Sequence, residues 1–322
     1  MRLCAAPNIF EVASKTEELI KGMEKLQVNV SMIDQLVKGS IEIHCHFGPQ
    51  PAGERRFDPI ETAQIAEQAE MRAVCIKCNY FPTGALAYLA QKHVEDVRVF
   101  GYVSLNNYIG GLNPEAVEAA IRIGTGKPGE YTKIVTLPTA SVNVPEDKAY
   151  YNWAKNVEVF RNGKIAAEAK EIFNIIKEHN LVLATGHSDP ETTISIIEEA
   201  RAAGLQKIIA THVEYKSIDA TIEQQKRMAD LGAFIEHLWV MCTPYYKFRY
   251  NHFVAPEQIA EAIKEVGASK CIMGTDSGGD PGMNPPLPEG MRMFIGAMLA
   301  CGITPEEIEV MVKKNPAYLL QI

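Results

Sequence analysis

The sequence lacks several features that would assign the protein to a class at once. It has no apolar run of about 18 residues, the length of a membrane-spanning helix. Acidic residues follow its first ten residues too closely for the apolar core of a signal peptide. Basic residues are in deficit, since 32 Lys and Arg stand against 40 Asp and Glu, a net charge of −8. Nucleic-acid-binding proteins usually show a basic excess. We therefore expect partners other than membranes or nucleic acids.

Cysteine is scarce, and its seven copies are scattered and odd in number. This usage is typical of a reducing compartment rather than of a disulfide framework, so we expect a cytoplasmic protein. Cys75 and Cys78 form a C-x-x-C, but on a strand an offset of three residues directs the two thiols to opposite faces. A zinc or redox pair is therefore not expected there.

Strand-like and helix-like segments alternate along most of the chain. Eight apolar runs are typical of strands: "IEIHCHF", "RAVCIKCNYF", "VRVFGYVSLN", "YTKIVTLPTA", "LVLATGH", "KIIATHVE", "AFIEHLWV" and "KCIMGTDS". Between them, apolar residues recur at three- and four-residue spacing, and several of these segments begin with Asp-Pro or Asn-Pro, a favoured helix start. Eight strands, each followed by a helix, predict an α/β protein with a (β/α)8 TIM barrel.

An open doubly wound sheet is the alternative, but no glycine-rich phosphate loop follows the first strand. The barrel is predicted to span residues 39–322. Residues 1–38 are predicted to form a short N-terminal helical extension. Residues 141–163 are predicted to form a long loop after the fourth strand, and loops of that length are often functional.

The first strand carries two histidines two residues apart, in "SIEIHCHFGPQP". Residues i and i+2 of a strand point to the same face, so His44 and His46 are expected to lie side by side. One interpretation is a pair of polar residues that hydrogen-bond to a loop. The other is a metal pair, because imidazole is the commonest metal ligand in proteins.

Other candidate ligands fall at the ends of other predicted strands. His187, His212 and His237 end the fifth, sixth and seventh, and Asp276 ends the eighth. In a (β/α)8 barrel the carboxyl ends of the strands converge on one mouth, where active sites lie. Histidines and a carboxylate around an open position suit a catalytic Zn²⁺ or a similar divalent ion.

This set of residues resembles the amidohydrolase superfamily of metal-dependent hydrolases. Members have a His-x-His on the first strand, His on the fifth and sixth, and Asp on the eighth, and the ending "KKNPAYLLQI" also looks like theirs. The resemblance covers residues 40–322. It implies that His44, His46, His187 and Asp276 hold the metal, and that His212 holds a second metal or polarises the substrate. The metal expected is Zn²⁺, with Mn²⁺, Fe²⁺ and Ni²⁺ as alternatives.

The fourth strand departs from the family pattern. Many members carry a Lys or Glu at its end that bridges two metals, whereas here the strand reads "YTKIVTLPTAS" and Lys133 stands near its beginning. Lys77 or Glu214 could replace the bridge in principle. We expect one metal ion rather than two.

The expected chemistry is the hydrolysis of a small polar substrate at an amide, cyclic amide, lactone or related bond. A divalent metal supplies hydroxide near neutral pH, Asp276 transfers the proton, and His212 stabilises the developing charge. Two alternatives remain: a single-metal decarboxylase or lyase of the same superfamily, and a metal-binding barrel without catalysis. A homo-oligomer is left open. The candidate substrate-binding residues are Lys77, Tyr80, His237, Trp239 and Arg249, although each of them could instead serve packing, loop or subunit contacts.

Overall fold

The computed structural model describes residues 30–51, 53–139, 156–278 and 284–322. Eight parallel strands follow one another around a nearly closed barrel in chain order. They are β1 (Ile41–His46), β2 (Ala73–Lys77), β3 (Arg98–Ser104), β4 (Thr132–Thr136), β5 (Val182–Ala184), β6 (Ile208–Ala210), β7 (Phe234–Leu238) and β8 (Cys271–Gly274). Beyond the end of β8, a parallel bridge between Cys45 and Ser277 links it to β1. The predicted TIM barrel is confirmed.

Helices connect the strands on the outside of the barrel. They are α1 (Pro59–Gln68), α2 (Gly84–Gln91), α3 (Pro114–Ile121), α4 (Ala167–Glu178), α5 (Pro190–Ala202), α6 (Ile222–Asp230), α7 (Pro244–Tyr250), α8 (Pro256–Val266), α9 (Glu289–Ala300), α10 (Pro305–Glu309) and α11 (Asn315–Leu320). The described part of the chain also holds short elements: 3₁₀ turns Asn107–Ile109, Trp239–Cys242 and Ala268–Lys270, a π-helical turn Val310–Lys314, and a hairpin of Phe160–Arg161 with Lys164–Ile165.

The Asp-Pro and Asn-Pro starts act as helix caps. The side chains of Asp58, Asn113 and Asp189 each accept a backbone N–H from the first turn of α1, α3 and α5, and each is followed by Pro. Such caps satisfy backbone donors that the helix itself cannot. The local sequence thus fixes where these helices begin, and thereby the length of the loops at the barrel mouth.

Two apolar layers hold the barrel together. The interior is filled by side chains from alternate strand positions, including Ile41, Tyr102 and Ile209, and α11 closes one end with Leu319 and Leu320. A larger layer lies between the strands and the helices. Cys75 belongs to the interior and Cys78 to the outer layer, so the opposite faces predicted for the C-x-x-C are confirmed.

The N-terminal extension lies largely outside the described residues. Residues 30–37 are helical, and Asp34 pairs with Arg292 of α9 at 2.8 Å. Of the predicted loop 141–163, residues 141–155 also lie outside the described part of the chain. Among the described residues, no helix has both the length and the apolar character needed to cross a membrane.

Candidate metal centre

Three side chains converge at the mouth of the barrel. Nε2 of His46 lies 3.2 Å from Oδ1 of Asp276, and Nε2 of His44 lies 3.7 Å from the same oxygen. The three candidate ligand atoms, one from each residue, all lie within 4.8 Å of one another. All three side chains are largely shielded from solvent. The prediction that strand ends far apart in sequence would bring these residues together is confirmed for this trio.

A β-bulge in β1 orients the two histidines. The pairing of β1 with β2 shifts between Glu42 and Cys45, so that Ile41 and Ile43 face the interior and yet His46 pairs with Lys77 at the mouth. A bulge adds one residue to one strand and re-aims the side chains that follow. Simple alternation from Ile41 would have directed Cys45, not His44, into the barrel.

Buried hydrogen bonds hold the bulge from both sides. The Glu42 carboxylate accepts the backbone N–H of His44 at 2.9 Å and that of Thr275 at 3.1 Å, which joins β1 to the end of β8. From the interior, the Tyr102 hydroxyl donates to the carbonyl oxygen of Ile43 at 2.5 Å. Burial raises the pKa of Glu42 to about 8, although its hydrogen bonds with Thr275 and His44 oppose that shift. The bulge is therefore hydrogen-bonded rather than frayed.

Asp276 lies in a left-handed backbone conformation just beyond β8. Its φ is +49°, which is rare for residues other than glycine, and its N–H donates to the carbonyl of His44 at 2.9 Å. Gly278 follows at φ +82°, and a Cβ there would overlap the carbonyl oxygen of His46. The chain thus approaches β1 so closely that only glycine fits, and this approach brings the carboxylate to the imidazoles.

The donor set fits a divalent transition-metal ion. Four ligands at about 2.0 to 2.1 Å in a tetrahedron lie about 3.3 Å from one another, and the observed separations of 3.2 and 3.7 Å bracket that value. Burial lowers the pKa of His46 to about 4, against the opposing effect of Asp276, so this imidazole is neutral and keeps a lone pair. Three protein ligands with an open position are typical of catalytic sites.

His187 and His212 lie beside this trio. The ring centres of His187 and His212 are 4.3 Å apart, and those of His212 and His44 are 5.6 Å apart. Burial lowers the pKa of His212 to about 3 and that of His187 well below its usual value, so both imidazoles are neutral. Their predicted assignment as ligands is not tested by this arrangement and stays a prediction.

Lys77 extends from the end of β2 into the same cluster. Its ammonium nitrogen lies 3.0 Å from Nε2 of His44, and the residue is 1% exposed. Burial lowers the pKa of Lys77, while Asp276 and Glu236 partly oppose that effect. The Lys77 amine nitrogen therefore already lies against the ring nitrogen that we assign to the metal, and metal binding requires Lys77 to move aside.

The other predicted substrate-binding residues are spread around β7 and the mouth. Tyr80 is buried, and the centre of its ring lies 4.9 Å from that of Tyr108. The ring centres of Trp239 and Phe294 are 5.6 Å apart. Arg249 is exposed on α7. His237 is fully buried, and its Nδ1 lies 2.6 Å from the Glu214 carboxylate. Their roles in substrate binding stay predictions.

Several residues of the centre escaped the sequence reasoning. Glu42 and Glu236 are buried carboxylates next to His44, and Tyr215 packs its ring 4.8 Å from that of His187. The interactions of Glu236 with His44 and His212 hold its pKa below the usual range, although burial alone would raise it. The available signal was an acidic residue inside an otherwise apolar strand, as in "SIEIH" and "AFIEHL".

The pair of His237 and Glu214 predicts how stability depends on pH. Burial alone would lower the pKa of His237, but the Glu214 carboxylate raises it to about 10 from 6.5. The protonated His237 ring, paired with Glu214, contributes fully to the free energy of unfolding below pH 6.5. That contribution is lost as pH rises to about 10. We expect the wild type to lose several kcal/mol over that range relative to His237→Gln. Denaturant unfolding at pH 6, 8 and 10 measures this, and parallel curves for the two proteins would contradict it.

The residue types at the end of β4 indicate how many metal ions the site holds. Lys133 is the second residue of the strand, at the end remote from the mouth, with its ammonium 5.5 Å from the centre of the Phe100 ring. The strand ends at Thr136, followed by Leu137, Pro138 and Thr139, so it offers no bridging Lys or Glu. We expect about one tightly held ion per chain by elemental analysis. Two ions at full occupancy, bridged by a carboxylated Lys77, would show this to be wrong.

Comparison with known proteins bears on both family and fold. The sequence model of a family of unknown function (DUF6282) matches residues 39–236, more than half of the chain. The chain belongs to the DUF6282 family. Among curated proteins, none matches this sequence.

Several solved structures share the barrel of this DUF6282 member. A TatD homologue from Escherichia coli is 13% identical, covering 89% of this chain and 99% of its own, with a TM-score of 0.57. An amidohydrolase from Pseudomonas aeruginosa is 12% identical, and the match covers 90% of this chain and 98% of that protein, with a TM-score of 0.58. The organophosphorus hydrolase from Deinococcus radiodurans is 14% identical, and the match covers 89% of this chain and 93% of that protein, with a TM-score of 0.55. At such identities the likeness shows the fold alone, which is a TIM barrel.

Proposed function

We propose that this protein is a metal-dependent hydrolase that acts on a small polar substrate at an amide, cyclic amide, lactone or related C–N or C–O bond. The observation that carries this proposal is the convergence of His44, His46 and Asp276 within one coordination sphere at the barrel mouth. Zn²⁺ is the ion we favour, because two imidazoles and one carboxylate suit it. Mn²⁺, Fe²⁺ and Ni²⁺ are the alternatives.

The residues around that sphere can divide the work of hydrolysis. A divalent cation held by His44, His46 and Asp276 would lower the pKa of a water molecule toward neutrality. Asp276 is ionised, because the neighbouring imidazoles hold its pKa below the usual range despite burial. Its Oδ1 faces the imidazoles, and its carboxylate can accept a proton from water and pass it to the leaving group.

His212 and Lys77 are the groups we assign to the substrate. The neutral His212 ring is buried between His44 and His187, where it can polarise a carbonyl whose oxygen gains charge during attack. Lys77 can pair with an anionic substrate group once it leaves His44. The free cysteines among the described residues support a reducing, cytoplasmic setting.

Decarboxylation of an aromatic or unsaturated acid is the second candidate function. The absence of a bridging Lys or Glu at the end of β4 favours it, because it leaves a single-ion site that needs no second metal. The same ion would then stabilise negative charge on the substrate instead of activating water.

The test is turnover of a panel of amides, cyclic amides, lactones and esters by the full chain, with and without a chelator. We expect hydrolysis that the chelator abolishes and added Zn²⁺ restores. Release of carbon dioxide from a second panel of aromatic and unsaturated carboxylic acids, without hydrolysis in the first panel, would favour the second candidate. Metal-loaded protein that turns over nothing in either panel would favour a binding role.

A further inference from the structure

Glu236 is a buried carboxylate that contacts two of the histidines at the mouth. It lies on β7 and is 1% exposed. Its Oε1 lies 3.2 Å from Nδ1 of His44, and its Oε2 accepts the backbone N–H of His212 at 3.0 Å. One side chain on β7 therefore connects β1 to the turn that follows β6, across the top of the barrel.

The partners of this carboxylate are N–H groups rather than a Lys or Arg. Among the residues that the structure describes, its only contact of ion-pairing length is with His44. A carboxylate removed from water costs several kcal/mol unless its oxygens are satisfied. Here both oxygens are satisfied, one by each histidine, so burial of Glu236 depends on these two contacts.

The contact with His44 determines which ring nitrogen carries the proton. The other carboxyl oxygen of Glu236 accepts the N–H of His212, and a carboxylate oxygen accepts rather than donates, so we assign Nδ1 of His44 as the donor in this pair. In a neutral imidazole the other nitrogen then keeps its lone pair. That nitrogen is Nε2, the atom 3.7 Å from Asp276 and 3.0 Å from the Lys77 ammonium, which can donate to it. His44 is thus held in the tautomer that a metal ion requires.

The contact with His212 stabilises an unfavourable backbone conformation. His212 has a φ of +21°, in the left-handed half of the conformational map, which costs energy for a residue with a side chain. The Glu236 oxygen accepts the N–H of this same residue. The conformation in turn directs the His212 ring toward His187 and His44.

We propose that Glu236 is a positioning residue that fixes the tautomer of His44 and the backbone of His212 with the two oxygens of one carboxylate. The inference rests on the proposed role of His44 as a metal ligand. It adds a residue that touches neither the ion nor the substrate and yet sets how tightly the ion is held.

The test is Glu236→Gln, which keeps the shape of the side chain but replaces one acceptor with a donor. If the amide oxygen stays with the His212 N–H, the amide nitrogen faces Nδ1 of His44 and favours the proton on Nε2. We expect the Zn²⁺ affinity of the full chain, measured by competition with a chromogenic chelator, to fall roughly 10- to 100-fold. Glu261→Gln, an exposed position on α8, is the matched control and should bind Zn²⁺ like the wild type.

A second measurement reads the tautomer directly. Nitrogen NMR of the metal-free wild type should show His44 protonated at Nδ1 and unprotonated at Nε2, and the Gln variant should shift toward the reverse. A merely structural residue would not move this signal. Saturating Zn²⁺ should return turnover of the variant to within a few-fold of the wild type.

Two outcomes would overturn the inference. One is an unchanged Zn²⁺ affinity in folded Glu236→Gln. The other, which remains available if the variant does not fold, is a wild-type His44 protonated at Nε2. Failure of the wild type to bind any divalent ion would instead remove the proposed function, and this inference with it. The affinity of the wild type separates the two kinds of failure.

Discussion

Asp276→Asn is expected to lower turnover by roughly 10²- to 10⁴-fold even when the metal is restored. The amide can still offer an oxygen to the cation, but it cannot accept a proton from water. The neighbouring histidines hold the pKa of Asp276 below its usual range despite burial, and Oδ1 lies 3.2 Å from Nε2 of His46, so the substitution removes a charge from the centre of the site. The measurement is the turnover number at saturating metal, with metal content confirmed by elemental analysis.

The fold should survive this substitution, because the mouth of the barrel contributes less to stability than its packed interior. Asp230→Asn is a suitable control, since Asp230 is an exposed aspartate at the end of α6 that pairs with Lys270 on the surface. It should leave turnover unchanged. Near wild-type activity of metal-loaded Asp276→Asn would remove the carboxylate from the mechanism and leave the attacking water without a base.

His46→Ala and His44→Ala are expected to remove the bound metal and with it the activity. Each substitution leaves two of the three converging donors, and a catalytic site held by two donors binds its ion weakly. Loss of the ion removes several kcal/mol of transition-state stabilisation, so turnover should fall roughly 10³-fold or more. Elemental analysis of the purified variants and turnover in metal-free buffer measure the two effects.

His93→Ala separates a loss of metal from a general effect of removing a histidine. His93 is exposed in the loop after α2 and is not one of the three converging donors. We expect this variant to keep the metal content and the turnover of the wild type. Full metal content in both His44→Ala and His46→Ala would show that the ion binds elsewhere.

The fold followed from patterns that are local in sequence. The Asp-Pro and Asn-Pro pairs at Asp58, Asn113 and Asp189 marked helix starts, and each acts as a cap in the structure. Apolar runs marked the strands, because each strand is buried on both faces. The topology then followed from the helix predicted after each strand, because strands that alternate with helices form a parallel sheet, and eight of them suggest a closed barrel.

The candidate site was predictable where it depended on strand ends. His44, His46 and Asp276 were named from their positions, and the barrel brings them together. The partners of these residues were not predictable in the same way. Glu236 reaches His44 across 192 positions of sequence, and neither its orientation nor its contact leaves a local pattern. His212 and Asp276 adopt left-handed conformations that tertiary contacts impose against their local preference.

The bulge in β1 gives the register of that strand against β2 an unusual importance. Residues Glu42 to Cys45 carry one position more than the opposing stretch of β2. If the strand paired without the bulge at unchanged length, strict alternation from Ile41 would turn His44 and His46 toward the helices, while the barrel packing of Ile41 stayed intact. A barrel could therefore encode every histidine and still lack the metal donors. Among related barrels, the register of this strand against β2 would then be a better marker of metal binding than the presence of its His-x-His.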